Sequence, residues 1–301
     1  MNFKKYSFFF FLIFTVTISC KKEEVSFSYP KKNIKVRGTN GITEHQGNLW
    51  VADLLGSQII GFDREGKIFA TYTPNILGSA PDDLCFVDDT TIVWTSFFTG
   101  EVKMTTLRGK TTVLATGIPS VNPIAKVPNE RSVIVSSSVG DDVSLYKIDI
   151  DNPSKVVIKT GIQGINGFEV DEFNNLYAPI FNLESIVGNG QIFWINLVTK
   201  FSLEFVPDFI NEPNKQGYNG PTGVAYGGQG IWYVLESVGG INVYKLIPSL
   251  NESERIFSSN IPIGDNLCVA EDGNIYVTTF LEDSIIEITP EGNSRVFRLR
   301  N

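Results

Sequence analysis

From residue 40 onward, short runs of Val, Ile, Leu, Trp and Tyr alternate with clusters of Gly, Asn, Asp and Pro, and one phrase returns six times. A small or polar residue is followed by Gly, Asp, Asn or Pro, then by an apolar run, a polar turn and a second run rich in Val, Ile, Trp and Tyr. It opens at Asn40-Gly41-Ile42, Asp82-Asp83-Leu84, Asn122-Pro123-Ile124, Asn166-Gly167-Phe168, Thr222-Gly223-Val224 and Asp265-Asn266-Leu267, at spacings of 42, 40, 44, 56 and 43 residues. The second runs align as Asn48-Leu49-Trp50-Val51, Thr91-Ile92-Val93-Trp94, Ser132-Val133-Ile134-Val135, Asn175-Leu176-Tyr177-Ala178, Gly230-Ile231-Trp232-Tyr233 and Asn274-Ile275-Tyr276-Val277. β-branched and aromatic residues between turn formers, with no helical period beyond the first twenty residues, predict antiparallel strands. Each unit offers two more, such as 58–62 and 68–72 on either side of Asp63-Arg64-Glu65-Gly66. Four antiparallel strands per unit and six units predict an all-β, six-bladed β-propeller. Length alone suggests about two domains, but blades that close a ring make one, over residues 33–301.

The beginning of the chain reads differently. Lys4 and Lys5 precede an uncharged apolar run of 11 residues, 8–18, followed by Ser19 and Cys20. Such a run is too short to span a bilayer, which needs about 20 residues, and matches a signal peptide. Thr17-Ile18-Ser19-Cys20 resembles a lipobox, which implies removal of residues 1–19 and lipidation of Cys20; the alternative is an ordinary secreted protein with an incidental cysteine. Cys20-Lys21-Lys22-Glu23-Glu24 resembles the surface-export signal of Bacteroidetes-type lipoproteins. The expected product is held in the bacterial cell envelope through lipid, at the outer membrane and exposed at the surface, with residues 20–32 as a tether. Residues 33–38 are expected to add a closing strand to the last blade.

Composition narrows the chemistry. With 25 Lys+Arg against 33 Asp+Glu, a net charge of −8 and no basic run beyond Lys31-Lys32, nucleic acid is excluded as a partner, because its affinity rests on clustered cations. The chain has a single histidine, His45, which leaves little material for a His-based zinc centre or an imidazole triad. Any metal should be hard and bound by oxygen. Cys85 and Cys268 occupy the same place in two different units and so are expected to be buried free thiols.

The 56-residue spacing contains two insertions, 181–190 and 207–220, which lengthen a loop between second and third strands and a link between blades. In a propeller both loop types emerge on one face, at the mouth of the central channel, where function is expected. There the residues opening each innermost strand, Asn40, Asp82, Asn122, Asn166, Thr222 and Asp265, converge on the axis. Of these, Asn40, Asp82, Asn122, Asn166 and Asp265 form an oxygen set suited to Ca2+, although Asn and Asp also serve simply to satisfy local turns. Phe97, Phe181 and Phe280, with Glu236 and Thr222, are the candidate ligand contacts at the mouth. Asp53, Asp141, Asp142, Glu184, Glu282 and Asp283 fall in the same loops and read mostly as solvated rim charges.

Blades such as Gly41-Ile42-Thr43-Glu44-His45-Gln46-Gly47-Asn48-Leu49-Trp50-Val51-Ala52-Asp53 and Asn166-Gly167-Phe168-Glu169-Val170-Asp171 resemble the gluconolactonase/regucalcin-like propellers, as well as NHL-repeat and strictosidine-synthase-like ones, over about residues 38–300. The resemblance implies one axial divalent ion, held by a Glu in blade one, Asn in blades three and four, and an Asp in blade five that is also the general base. Asn122 and Asn166 match. Blade one has Asn40 where the resemblance implies Glu, and blade five has Thr222 where it implies the catalytic Asp. A threonine hydroxyl does not take a proton near neutral pH.

Two readings follow. In one, the propeller binds a small molecule, glycan or protein at its channel mouth, with a central calcium ion. In the other, it is a calcium-dependent lactone or ester hydrolase in which Asp82 or Asp265 replaces the missing base. Thr222 favours the first.

Overall fold

In the computed structural model, residues 35–72, 79–207, 209–210 and 215–301 are described. The signal peptide, Cys20 and the tether lie outside them. Six sheets are arranged in a ring, each with four antiparallel strands in chain order from the axis outward. Blade one runs Thr39–His45, Asn48–Asp53, Gln58–Phe62 and Ile68–Tyr72, as the turn spacing predicts. The innermost strands of the other blades are Pro81–Asp88, Val121–Lys126, Glu169–Val170, Pro221–Gly228 and Gly264–Val269.

Two features depart from the repeat. Blade five carries an additional short strand, Phe209–Ile210, parallel to the outer strand Glu252–Ser259. Residues 35–38 form no strand, against the expectation of a closing strand there. The ring closes instead where Thr39 exchanges hydrogen bonds with Thr279 (3.2 Å each way) and where Arg300 accepts the backbone N–H of Ile68 at 2.8 Å. Every blade is therefore one continuous stretch of chain.

The core is not central. Six apolar clusters occur among the described residues, one at each interface between adjacent blades. Trp50 and Trp94, both fully buried, pack between blades one and two, while Trp232 packs with Tyr177 and Tyr218 between blades four and five. Strands are apolar on both faces because each sheet is covered by a neighbour on either side, which is why alternation is weak along the second strands. Burial at about 25 cal/mol per Å2 acts across these interfaces, so no blade buries its faces alone.

One irregularity recurs. In blades one, two, three, five and six, the innermost strand carries one extra residue relative to its partner near its start: Thr39 and Ile42 oppose Asp53 and Val51, and Gly264 and Leu267 oppose Thr279 and Val277. A bulge of this kind re-aims side chains. It is the local reason why the opening residues face the axis instead of entering the inter-blade core.

Candidate functional site

The axis holds three layers. The uppermost consists of the six opening residues. Asn40 donates from Nδ2 to Asp82 Oδ1 at 2.8 Å, and its own Oδ1 is buried without a partner. Asn122 and Asn166 are buried as well, and neither side chain is hydrogen-bonded among the described residues. Thr222 is committed to the fold: its hydroxyl bonds Ser237 Oγ at 2.9 Å and the Gly264 carbonyl at 3.2 Å. Asp265 keeps partial access to the channel, makes no hydrogen bond among the described residues, and is pushed up to about 7 by burial. Asp82 is raised well above the carboxylate range by burial and then by the charge of Asp265. The two carboxylates thus share a desolvated site with no cation beside them among the described residues.

Beneath them Asp83 and Asn266 form a bar across the channel. Asp83 accepts the N–H groups of Leu84 (2.9 Å) and Ile124 (3.1 Å), and Asn266 Nδ2 donates to its Oδ1 at 3.2 Å. Glycines make this crossing feasible. A Cβ on Gly41 would stand 2.4 Å from Asp83 Oδ1, and one on Gly167 would stand 2.8 Å from Asn266 Oδ1. Burial lifts Asp83 to about 8 despite those bonds. Below the bar a cavity of about 230 Å3 continues between the innermost strands, past Glu169, Cys85 and Cys268, to Glu44, His45 and Lys126 on the face opposite the inserted loops.

The two insertions clasp each other on the mouth face. Gly190 and Tyr218 exchange backbone hydrogen bonds at 2.9 and 3.0 Å, and Gly220 N–H donates to Ser185 O at 2.7 Å. Glu236, a candidate ligand contact, is fully buried and anchors this clasp: it pairs with Lys215 and accepts the Asn219 N–H at 2.7 Å. Asp53 is also fully buried, accepting from Gly56 N–H at 2.7 Å and Gln58 Nε2 at 2.6 Å, so it organises a turn and is not a rim charge. Asp141, Asp142, Glu184 and Glu282 are exposed, as expected.

Phe97 and Phe280 are half-buried, and Phe181 is exposed. They belong to a wider set of which sequence reading singled out only the phenylalanines, Phe98 among them. Each of the six loops between second and third strands exposes an apolar side chain: Leu55, Phe98, Val139, Leu183, Val238 and Leu281. The blade-four insertion adds Ile186 and Val187. The available signal was one apolar residue recurring among polar ones in loops of equivalent position. The axial ring and this crown stand on one face, whereas the free thiols and His45 line the cavity below; both cysteines are buried and unpaired, as expected.

The donors fit a hard cation in one respect: Asn40 Oδ1 and Asp265 are unclaimed oxygens in a negative, desolvated site. Among the described residues, however, no three His, Cys, Asp or Glu side chains form a metal cluster. No described helix is long and apolar enough to cross a membrane.

No protein-family model and no curated relative matches the sequence. Solved structures do. A streptogramin B lyase is 16% identical, with 90% of this chain and 86% of that chain covered at a TM-score of 0.63. A catalytically inactive His-to-Ala variant of virginiamycin B lyase from Staphylococcus aureus, crystallised with quinupristin, is 17% identical, with 89% and 87% covered at 0.62. A chain of the nidogen/laminin complex is 14% identical, with 87% and 94% covered at 0.63. At such identities the likeness concerns the fold.

Proposed function

We propose that this chain is a binding propeller, lipid-anchored outside the cytoplasm through Cys20, whose mouth face docks a protein partner. The observation that carries the reading is the apolar crown contributed by all six blades. Exposed apolar side chains that recur in equivalent loops on one face suit association with a macromolecule, and a small ligand or single sugar would touch only two or three of the loops at once. The rigid ring beneath fixes the loops relative to one another, which limits the ordering cost of association. A propeller of the same fold occurs in the nidogen/laminin complex.

Photo-crosslinkers placed at Val187 and Leu281 should yield one and the same protein adduct on intact cells, and Leu183→Ser should diminish it. A crosslinker at Val156, exposed on an outer strand, should not yield it. Identical adducts at all three positions, or none at the crown, would overturn the reading. Cys20→Ser should release the protein from the membrane fraction.

A second reading is favoured by the unpartnered Asp265. An axial Ca2+ would be held by Asn40, Asp82 and Asp265, with Asn122 and Asn166, and would supply Lewis-acid polarisation of a lactone or ester carbonyl. Among the six opening residues, Asp265 combines channel access with affinity for a proton near neutral pH, so it is the base that such a reaction would use. Thr222, bonded to the Gly264 carbonyl, does not serve. The histidine chemistry of the lyase relative does not carry over, because His45 stands at the far end of the channel, stacked on Phe86 at 3.8 Å. Thermal melting with Ca2+ and with chelator tests the ion. At 100 times its dissociation constant it adds about 2.7 kcal/mol, and Asp265→Asn should remove the shift. Equal melting curves would remove both ion and hydrolysis, leaving the crown reading intact.

A further inference from the structure

The chamber below the Asp83–Asn266 bar is separate from the mouth, and what it contains is independent of what the crown docks. Its volume of about 230 Å3 lies below the range of about 300–1,000 Å3 usual for drug-sized ligands. Its upper walls are apolar, built from Leu84, Ile124, Phe168, Val224 and Leu267. Inside stands Glu169, whose Oε2 accepts the Tyr226 N–H at 3.0 Å and whose Oε1 has no partner among the described residues. Lining the same chamber from blades two and six are the thiols of Cys85 and Cys268, 9% and 7% exposed, neither hydrogen-bonded among the described residues.

Acidic groups outnumber basic ones in the chamber. Asp83 forms its ceiling, and Glu169 its middle. At the opening, Glu44 is held by the Gly47 N–H at 2.5 Å and faces Arg64 at 3.9 Å. His45 is pinned between Phe86 and the Asp89 carbonyl, and Lys126, exposed at the opening, lines the chamber nearer Cys85. Among the described residues no cation pairs with the unclaimed oxygen of Glu169. A carboxylate withdrawn from bulk water attracts a positive group more strongly than one at the surface.

We propose that this chamber is a binding site for a small organic cation, a primary ammonium on a short apolar body, with Glu169 taking the ammonium and the leucine, isoleucine and phenylalanine walls taking the hydrocarbon. The cavity size excludes a large ligand, and the walls offer too few oxygens to replace the hydration shell of a bare divalent ion. The chamber opens on the face opposite the crown, so a protein docked at the mouth leaves it accessible.

The native thiols report on it directly. The full-length protein is treated with methanethiosulfonates carrying a 2-aminoethyl, a 2-sulfonatoethyl or a methyl group. In each reaction the cysteine thiolate attacks the sulfenyl sulfur, a disulfide forms and methanesulfinate leaves. Modification of Cys85 and Cys268 is followed by peptide mass spectrometry and normalised to the same cysteines in urea. The cationic reagent should react about tenfold faster than the anionic one after normalisation, as expected for a single charge in a site of reduced dielectric. Glu169→Gln should reduce that preference to less than about threefold. In the wild type, millimolar n-butylammonium should protect both thiols from the neutral methyl reagent, whereas butyrate should not. Absence of charge preference, equal protection by amine and carboxylate, or thiols inert to all three reagents would overturn the proposal. The protection experiment needs no variant and stands even if Glu169→Gln fails to fold.

Discussion

Replacing Glu169 with Gln should flatten the dependence of stability on pH, and the size of the effect follows from its surroundings. Burial raises Glu169 from 4.5 to about 7. Between those values the folded protein binds a proton that the unfolded chain releases, so stability falls as pH rises through the interval. The contribution is fully present below about pH 4.5 and lost above about pH 7. At about 1.36 kcal/mol per pH unit, a displacement of this size is worth no more than about 3.4 kcal/mol, and contact with channel water reduces it. Asp83 and Asp265 act with the same sign, so the wild type should weaken steadily from pH 5 to pH 8. His45, lowered chiefly by burial, acts with the opposite sign, but only one group does so in this interval; Asp88, held at about 2 with Arg131 as the main lowering partner, matters only in acid. Gln keeps an oxygen for the Tyr226 N–H, so the variant retains the structural bond and loses the titration. Urea unfolding at pH 5, 6, 7 and 8 in the presence of chelator measures both slopes. A wild-type midpoint that rises across this range, or a variant that keeps the entire wild-type decline, would refute the reasoning.

Lys215→Met should leave the Glu236 carboxylate buried without its cation, costing about 3–5 kcal/mol and opening the clasp between the insertions, visible as faster proteolysis within residues 207–220. Gly41→Ala should lower Tm by about 5 °C or more, because its Cβ would lie 2.5 Å from Asp83 Cα and 2.7 Å from Asp82 O, contacts that no rotamer relieves; calorimetry reads the loss. Deleting residues 82–121 should abolish folding, since two blades would each lose a covered face and five blades at the same angle do not close; a soluble, cooperatively melting product by circular dichroism would contradict that.

The repeat and most strand boundaries were legible in the chain because they rest on local chemistry. Gly, Asn and Asp mark turns wherever they stand, and the strands between them must be covered on both faces, so six apolar units imply a ring. Local patterning also located the axial residues, since Asn40, Asp82 and Asp265 each open a unit. What they do once there was decided by contacts between units far apart in sequence. Asp265 and Thr222 hold equivalent positions, yet one keeps a free carboxylate while the other spends its hydroxyl on a neighbouring blade. Glu236 ends the second strand of blade five whereas Glu282 lies in the loop beyond the second strand of blade six, and packing against Lys215 makes the first a buried anchor. The bulge that aims the opening residues inward arises from pairing between strands, and the bar from Asp83 to Asn266 joins residues 183 positions apart. Such pairings depend on how the ring closes, and ring closure is a property of all six interfaces together, which no single stretch of sequence encodes.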